Sequence, residues 1–410
     1  MTDRRIVITG AGAFSPCGSG VDALWTAARD GRSGARELRF DTIPDQKVTR
    51  AAYISDAEYA AAATGAKPRF QDRVTGFALV AAAEAVAQAG LSDEHFGEEC
   101  GVIVGSGFGG AETLDINYRK FSEQHLTGVT QRMDAMSIPK IMTNAAASWI
   151  SMTYGARGPL YCNSTACSSA SQSIGLAYQL MKGGAMDRCI TGGTEACVVP
   201  GVFRAWEILR VLSPDACRPF SRDRNGMMLG EGAGVLVLET LEAAEARGAT
   251  PLAEIVGYGT TSDAGDLLRP DPDGAARSMS RAIRDAGVDP SEIGYVNAHG
   301  TATVANDLSE TQAMRNVFGN AFEGLAVSST KPVHGHALGA AGALETIITL
   351  ESLRAGLAPP SGNFNETDPA IGFEPVHGEA REYAQDFALT NSFAFGGINA
   401  SLILGSAARL

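Results

Sequence analysis

The sequence contains one structural unit twice, and this repetition constrains the fold more than any other feature. In the first half, a helical segment ends at Ala89-Gly90, and an acidic linker leads to the strand CGVIVG and a glycine-rich turn. In the second half, a helical segment ends at Ala286-Gly287, and an acidic linker leads to the strand YVNA and the turn HGTAT. Helical apolar spacing that stops at glycine is typical of helix ends. We therefore predict an α/β fold made of two similar halves.

We predict that residues 1–250 form the first half and residues 251–410 the second. The seam lies within residues 245–257, where EARGATPLAEIVG passes from helix to strand. Short β-branched strands alternate with Ala-rich helices along the whole chain, which predicts parallel sheets covered by helices. No long linker separates the halves, so we expect them to share a large interface.

Composition and charge exclude several classes of function. The formal net charge of −13 disfavours binding to nucleic acid or anionic membranes. The apolar stretches are too interrupted to span a membrane, and the N-terminal segment lacks the apolar run of a secretory signal. The seven cysteines have irregular spacing and no CxxC pair, so neither a disulfide framework nor a zinc site is expected. A reducing cytoplasm is the predicted location.

Two short motifs indicate cofactor or metal binding only weakly. The stretch GSGFGG at 105–110 satisfies the dinucleotide pattern G-x-G-x-x-G, but no acidic residue ends a strand about 20 residues later. A tight turn packed against other backbone is the simpler interpretation. The HGH triplet at 334–336 has no carboxylate or cysteine at ligand spacing nearby, so no metal site is expected.

The run NSTACSSASQS at 163–173 places one cysteine, Cys167, between a strand and a helix. The helix dipole and free backbone N–H groups at such a junction favour a thiolate over a thiol. The neighbouring Ser, Thr and Ala side chains are small, so a substrate carbonyl could reach the sulfur. Most cysteines are inert packing residues, however, and position alone leaves that alternative open.

Two histidines occupy comparable positions at strand ends beside glycine. His299 lies in NAHGTAT, His336 lies in SSTKPVHGHALGAAGALE, and Lys331 precedes His336 among small and apolar neighbours. A Cys–His pair alone suits acyl transfer, whereas two neutral imidazoles can both donate to an oxygen that develops negative charge. Decarboxylation of a malonyl thioester produces such an enolate. A nearby ammonium group would help to keep an imidazole neutral. The set therefore favours decarboxylative carbon–carbon bond formation over hydrolysis.

The motifs TACSSA, NAHGTAT, SSTKPVHGHALGAAGALE and NSFAFGGINA, in this order, resemble the signatures of the β-ketoacyl-acyl-carrier-protein synthases of condensing-enzyme type II. The resemblance covers essentially the whole chain. It implies the thiolase fold, a five-layer αβαβα sandwich of two similar halves. It also implies a two-step reaction: an acyl group moves to a cysteine, then condenses with malonyl-carrier protein and releases carbon dioxide. The stretches RAWEILRVLSPDACRPF and VANDLSET resemble specialised members, such as nodulation-type or polyketide synthases.

The resemblance implies a role for each matching residue. Cys167 is the acylated nucleophile, His299 and His336 support decarboxylation, and Lys331 is their electrostatic partner with Glu345 nearby. The backbone N–H groups of Cys167 and Phe395 are implied to form an oxyanion hole, and the Phe395 side chain is implied to act as a gate. Contacts with the substrate or the pantetheine arm are implied for Thr301, Thr303, Phe108 and Phe203. The sequence departs from the family pattern at Ala302, Ala394 and Ile398, none of which removes a catalytic group.

The implied partner is an acyl carrier protein, whose 4'-phosphopantetheine arm brings the substrate, so no resident cofactor is expected. Carrier proteins are acidic, and we predict a local basic patch formed by Lys67, Arg69, Arg73, Arg204 and Arg210. A homodimer is implied, with a heterodimer containing a related subunit as the alternative. A thiolase-like acyltransferase acting on CoA is disfavoured, since its cysteine usually lies nearer the N-terminus. Non-catalytic partner subunits typically lack the cysteine.

Overall fold

The computed structural model describes residues 4–410. Its strands, in chain order, are β1 Ile6–Ser15, β2 Gly18–Ser19, β3 Arg36–Glu37, β4 Arg50–Ala51, β5 Cys100–Gly105, β6 Leu160–Asn163, β7 Arg188–Glu195, β8 Gly232–Thr240, β9 Ala253–Ser262, β10 Ile293–Asn297, β11 Ala326–Ser328, β12 Leu357–Ala358, β13 Arg381–Glu382, β14 Phe387–Ala394 and β15 Ile398–Ser406. Its helices are α1 Val21–Arg29, α2 Asp56–Ala62, α3 Arg73–Ala89, α4 Ala111–Thr127, α5 Ser137–Ile141, α6 Ala145–Tyr154, α7 Ser169–Lys182, α8 Pro200–Leu209, α9 Leu241–Ala246, α10 Pro272–Ala286, α11 Val304–Phe318, α12 Lys331–His334 and α13 Ala341–Ala355.

The two helices of the repeated unit begin and end by the same local chemistry. Asp72 caps α3 by accepting from the N–H of Val74, and Asp271 caps α10 by accepting from the N–H of Asp273. Both helices end at a glycine in the left-handed region, Gly90 at φ 64° and Gly287 at φ 66°. Glycine adopts this conformation without steric cost, so it stops a helix cleanly. The predicted helix ends are confirmed.

The strand order repeats between the halves. Strands of the first half lie in the order β1-β8-β7-β5-β6, and those of the second in the matching order β9-β15-β14-β10-β11. The two sets meet where Ile6–Ile8 of β1 pair antiparallel with Ala253–Ile255 of β9. The predicted doubling of one α/β unit is confirmed. The seam region 245–257 covers the end of α9 and the start of β9, and the boundary between the halves stays a prediction.

The sheets are mixed, so the expectation of purely parallel sheets is wrong. Two strand pairs are parallel in each half. In the first half these are β7/β5 and β5/β6, and in the second half they are β14/β10 and β10/β11. The last two strands of each half run antiparallel, as β7/β8 and β14/β15. Only three residues, 395–397, connect β14 to β15, which is too short for the crossover that a parallel pair requires.

Three buried apolar clusters define five layers. The central cluster includes residues of α7 and α13, which pack against each other between the two sets of strands. A second cluster joins α3 and α6 to the outer face of the first set. A third joins α10 and α11 to the outer face of the second set. This arrangement is the predicted αβαβα sandwich, and it buries α7 and α13 on all sides. No helix within residues 4–410 is long and apolar enough to cross a membrane.

We predict that Gly12→Ala destabilises the protein, because β1 and α3 touch through their backbones at this position. A Cβ at residue 12 would lie 2.0 Å from the carbonyl oxygen of Ala81. The helix would have to shift, at a cost of about 1–3 kcal/mol of unfolding free energy. Urea unfolding followed by circular dichroism measures this loss. Gly65→Ala is the matched control, because a Cβ at residue 65 has no neighbour within 4 Å. Equal stability of the two variants would contradict the close packing.

Candidate active site

A strained turn precedes each central helix, and the first of these turns carries Cys167. Ala166 has a φ of 50° and Leu338 a φ of 44°, which are uncommon conformations for residues other than glycine. Helices α7 and α13 begin three residues after these positions, at Ser169 and Ala341. The two turns also contact each other. Consequently Cys167 lies at the centre of the sandwich, between the halves.

Cys167 lines a cavity of about 210 Å³ together with both predicted histidines, His299 and His336. All three residues are at most 5% exposed. Thr301, Thr303 and Phe395 line the same cavity. These residues come from both halves and from four separate chain segments, and they converge on one space, as the sequence motifs predicted.

The Cys167 thiol does not have the lowered pKa that a helix N-terminus alone would produce. Burial raises its pKa to about 12, and the opposing effects of the Lys331 ammonium and the Phe395 N–H are smaller. The expectation of a favoured thiolate is therefore wrong for the substrate-free protein, because desolvation outweighs the dipole. The sulfur loses its proton only as it reacts. The Phe395 N–H and the Cys167 N–H both favour the thiolate, so two backbone donors lie beside the sulfur.

His299 follows β10, and its main chain is fixed by a buried carboxylate. The N–H groups of His299 and Gly300 each donate to Glu310 over 2.8 Å. The ring Nδ1 lies 3.2 Å from Lys331 Nζ. An ammonium group has donors only, so Nδ1 accepts and the proton of the neutral ring lies on Nε2. Burial holds the pKa of His299 well below its usual range, and the charge of Lys331 lowers it further.

Lys331 forms a fully buried ion pair with Glu345. Its Nζ lies 2.5 Å from Glu345 Oε1, and both side chains are inaccessible to solvent. Burial raises the pKa of Glu345 to about 7, against the opposing charge of Lys331. His334 Nε2 lies 4.0 Å from the same carboxylate oxygen. Burial and the Lys331 charge lower the pKa of His334 to about 3, so this imidazole is neutral beside the pair.

His336 is positioned by its main chain. Its N–H donates to the carbonyl of Met228 over 2.6 Å, and its carbonyl accepts from the N–H of Gly230 over 2.9 Å. The His299 and His336 rings are 5.4 Å apart and nearly perpendicular, with an interplanar angle of 85°. Burial, followed by the Lys331 charge, holds the pKa of His336 well below its usual range. Both imidazoles are therefore neutral at physiological pH.

The turn between β14 and β15 brings Phe395 to the cavity. Gly396 and Gly397 both have positive φ, 83° and 69°, which allows the tight connection. The Phe395 ring stacks on Trp206 of α8 at a centroid distance of 5.8 Å. Trp206 lines the cavity as well, and the sequence interpretation did not include it. Opposite this stack, the hydroxyls of Thr301 and Thr303 lie 3.0 Å apart.

Two predicted substrate contacts lie outside this cavity. Within the described chain, neither Phe108 nor Phe203 is among the residues that line it. Phe203 is fully buried and packs edge-on against Phe40, 5.6 Å away. Phe108 is 43% exposed on the turn after β5. Their proposed contact with substrate stays a prediction.

The predicted basic patch does not exist as one exposed cluster. Arg73 is buried, contacts the rings of Tyr59 and Phe77, and lies 3.7 Å from Glu231, so it is corrected to a structural residue. Arg204 is paired with Asp45 and Glu207. The three remaining predicted members are exposed at the surface: Lys67, Arg69 and Arg210. The Lys67 Nζ lies 5.5 Å from the centre of the Trp149 ring.

Two buried carboxylates that the sequence interpretation missed hold the site together. Glu310 fixes His299, as described above. Glu195, at the end of β7, accepts from the N–H groups of Gly107, Phe108 and Gly339. It thereby ties the GSGFGG turn of the first half to the turn of the second. A Cβ at Gly109 would lie 2.4 Å from the Ile141 carbonyl, so GSGFGG is the backbone-packed turn of the simpler interpretation. The sequence signal that could have identified these two residues is an acidic residue at the end of a strand, for Glu195, or on the buried face of a helix, for Glu310.

Comparison with known proteins agrees with this geometry. Residues 3–244 match the family described as Beta-ketoacyl synthase, N-terminal domain, and residues 252–365 match Beta-ketoacyl synthase, C-terminal domain. Nodulation protein E of Rhizobium sp. (strain N33) is 40% identical, and 3-oxoacyl-[acyl-carrier-protein] synthase 2 of Staphylococcus aureus (strain COL) is 39% identical; each alignment covers 98% of both chains.

Solved structures show the same similarity. A structure titled the ishigamide ketosynthase/chain length factor superposes with a TM-score of 0.92 at 35% identity, covering 99% of this chain and 100% of that one. A type II polyketide synthase acyl-carrier protein in complex with its ketosynthase, AntDE:AntF, gives a TM-score of 0.91 at 27% identity, again covering 99% and 100%.

A cysteine, two neutral histidines and a buried lysine in a thiolase-type sandwich define a condensing enzyme of the acyltransferase class. The chain belongs to the β-ketoacyl synthase family.

We predict that alkylation of Cys167 by iodoacetamide rises steadily with pH. Because burial raises the thiol pKa to about 12, the thiolate fraction grows at every pH below that value. The rate should increase about tenfold per pH unit between about pH 7 and pH 10. Peptide mass spectrometry reports alkylation at Cys167 specifically. A plateau near neutral pH would show a thiolate already formed and contradict the buried, protonated thiol.

Proposed function

We propose that this protein is a 3-oxoacyl-[acyl-carrier-protein] synthase. It takes an acyl group onto Cys167 and condenses it with malonyl-carrier protein, giving 3-oxoacyl-carrier protein, carbon dioxide and free carrier protein. The observation that carries the proposal is the shared cavity of Cys167, His299 and His336, with Lys331 fixing the tautomer of His299. Hydrolysis needs one imidazole base, whereas two neutral imidazoles line this cavity and the buried Lys331 ammonium contacts one of them from behind.

In the first step, the Cys167 sulfur attacks the thioester carbonyl of the acyl-carrier protein. The new carbon–sulfur bond forms, the bond to the pantetheine sulfur breaks, and the thiol proton passes to the departing pantetheine thiolate. The Cys167 and Phe395 N–H groups, which act on the sulfur, are placed to stabilise the oxyanion. Exclusion of water from the buried thiol protects the acyl-enzyme from hydrolysis.

In the second step, malonyl-carrier protein loses its carboxylate as carbon dioxide. The electron pair remains on the thioester as an enolate, whose oxygen accepts a hydrogen bond from His299 Nε2–H, with His336 beside it. The enolate carbon attacks the acyl group on Cys167. The carbon–sulfur bond to Cys167 breaks, and the thiolate takes up one proton.

The pantetheine arm is substrate in this proposal, and the protein needs no resident cofactor. Thr301 and Thr303 line the route into the cavity and offer hydroxyls to the arm. The relatives include a nodulation protein and a 3-oxoacyl-[acyl-carrier-protein] synthase, and we propose that the pathway is either fatty-acid elongation or the synthesis of a specialised acyl or polyketide chain. A subunit of a heterodimeric type II polyketide synthase is the second candidate, favoured by the likeness to a ketosynthase/chain length factor structure. In either assembly, Cys167 makes this chain the active subunit.

We also propose a homodimer in the cytoplasm, formed across the exposed edge of β6. Strand β6 ends the sheet order, and Leu160 and Tyr161 on it are exposed. The opposite edge strand, β11, is buried. An exposed edge strand with apolar side chains readily pairs with another copy. All seven cysteines are free, which suits a reducing compartment.

We predict that the two half-reactions separate by mutation. Cys167→Ala should abolish acyl-enzyme formation, measured by intact mass after incubation with acyl-carrier protein. His299→Ala and His336→Ala should keep the acyl-enzyme but lower carbon dioxide release from labelled malonyl-carrier protein by about a hundredfold or more, because each removes a donor to the enolate. His125→Ala, in the last turn of α4, is the control. Undiminished carbon dioxide release in both histidine variants would falsify the enolate mechanism.

The dimer is tested at the β6 edge. Tyr161→Glu should convert a dimer to a monomer, because a buried unpaired carboxylate is unfavourable in an interface. Light scattering coupled to size exclusion measures the mass, with Thr250→Glu on the exposed loop after α9 as the control. A wild-type monomer would contradict the homodimer and favour pairing with a related subunit.

A further inference from the structure

The mouth of the cavity is surrounded by exposed apolar side chains. Leu209, Leu267 and Leu268 line the cavity, yet Leu267 is 71% and Leu268 51% exposed. Ile208 is 66% exposed and precedes Leu209 on α8. Val304 is 57% exposed and lies between Thr303 and Ala305, which both line the cavity. We call these five residues the lip. Single exposed apolar residues are ordinary, but a cluster around one opening marks an interaction surface.

Two free positive charges flank the lip. Arg210 follows Leu209, and Arg269 follows Leu268 and lines the cavity. Neither guanidinium forms an ion pair with any residue between 4 and 410. By contrast, Arg73 and Arg204 of the predicted basic patch are already paired within the chain. Asp266, the acid on the same loop, accepts from the backbone N–H groups of Leu268 and Arg269. The mouth therefore carries both signs of charge, Arg210 and Arg269 beside Asp263 and Asp266, so charge alone does not distinguish it in a chain whose net charge is −13.

We infer that the lip is the docking surface for the carrier protein, and that apolar contact rather than a broad basic patch supplies most of the binding. The inference rests on the proposed function. The arm must pass this mouth to reach Cys167, so the body of the carrier protein lies on the lip while the arm is inserted. The matching face on the carrier combines apolar side chains with a few acidic ones that meet Arg210 and Arg269.

The lip is also connected to the turn that holds Phe395. The N–H of Gly396 donates to the carbonyl of Leu267 over 2.8 Å, and Asp263 on the same loop donates its N–H to the carbonyl of Gly397. A partner that contacts Leu267 therefore contacts the segment bonded to the Phe395 turn. The same hydrogen bonds therefore connect the docking surface to the turn that positions Phe395.

The test compares two acyl donors that differ only in the carrier. The donors are an octanoyl-loaded type II acyl carrier protein and octanoyl-N-acetylcysteamine, and the readout is the rate of Cys167 acylation by intact mass. The variant is Ile208→Ser/Val304→Ser, since neither residue lines the cavity. Leu410→Ser, an exposed apolar residue at the C-terminus, is the matched control. Arg210→Glu probes the charge, since Arg210 is exposed and does not line the cavity.

The inference expects the double variant to lose about tenfold or more in kcat/KM with the carrier-bound donor and to keep its rate with the small thioester. It also expects the wild-type rate with carrier protein to fall less than about threefold between about 0.05 and 0.5 M salt, because apolar contacts are not screened. Arg210→Glu, at an exposed residue outside the cavity lining, should slow only the carrier-bound donor.

Three outcomes would overturn the inference. The double variant could lose kcat/KM equally with both donors, it could lose kcat/KM with neither, or the wild-type rate could depend steeply on salt while the double variant reacts at the wild-type rate. A change in oligomeric mass of the double variant would reassign the lip to a second copy of the chain. If wild-type Cys167 is acylated by neither donor, the proposed function fails instead, so the two failures are distinguishable.

Discussion

One buried ammonium group organises the electrostatics of the candidate active site. Lys331 Nζ lies 2.5 Å from Glu345 Oε1 and 3.2 Å from His299 Nδ1, with no access to solvent. Removing both charges from water costs several kcal/mol each, and their mutual attraction only offsets that cost. The pair is therefore a poor source of stability. Its effect is on the imidazoles: it sets the His299 proton on Nε2 and helps to keep all three neighbouring histidines neutral.

The duplicated fold forms the buried site around Lys331, because it places a strand end and a strained turn from each half against one another. The two turns before α7 and α13 lie in contact at the centre of the sandwich. Glu195 and Glu310 then hold these segments by accepting backbone N–H groups, in place of the side-chain contacts that glycine-rich turns cannot make. Burial raises the pKa of both acids to about 7. These carboxylates bind mainly backbone N–H groups, with one side-chain donor each, Ser106 for Glu195 and Asn391 for Glu310.

Local sequence patterns predicted the doubled fold and brought forward Cys167, His299 and His336, which the structure places around one cavity; their catalytic roles stay a prediction. Glycine after α3 and α10 marks helix ends. Cys167 and His299 each follow a strand, as predicted, whereas His336 follows the short helix α12 and not a strand end. Charge pairing was not predictable in the same way. Arg73 looked exposed beside Lys67 and Arg69, but Glu231, which is distant in sequence, lies 3.7 Å away, and the rings of Tyr59 and Phe77 cover the guanidinium. The thiol pKa also depends on burial by the whole sandwich, which no short motif reveals. Trp206 meets Phe395 through a contact between distant segments, and the sequence carries no local signal of it.

A molecule built from two copies of one unit could hold two reaction centres, yet this one is limited to a single centre. The positive-φ residues Ala166 and Leu338 occupy equivalent places in the two turns, so Gly339 stands where the first half has Cys167. A Cβ at residue 339 would lie 2.4 Å from the nitrogen of Gly107 and 2.6 Å from Glu195. The same contacts that join the halves thus fill the space of a second nucleophile. Internal symmetry survives in the backbone, while the stoichiometry is fixed at one acyl group per chain.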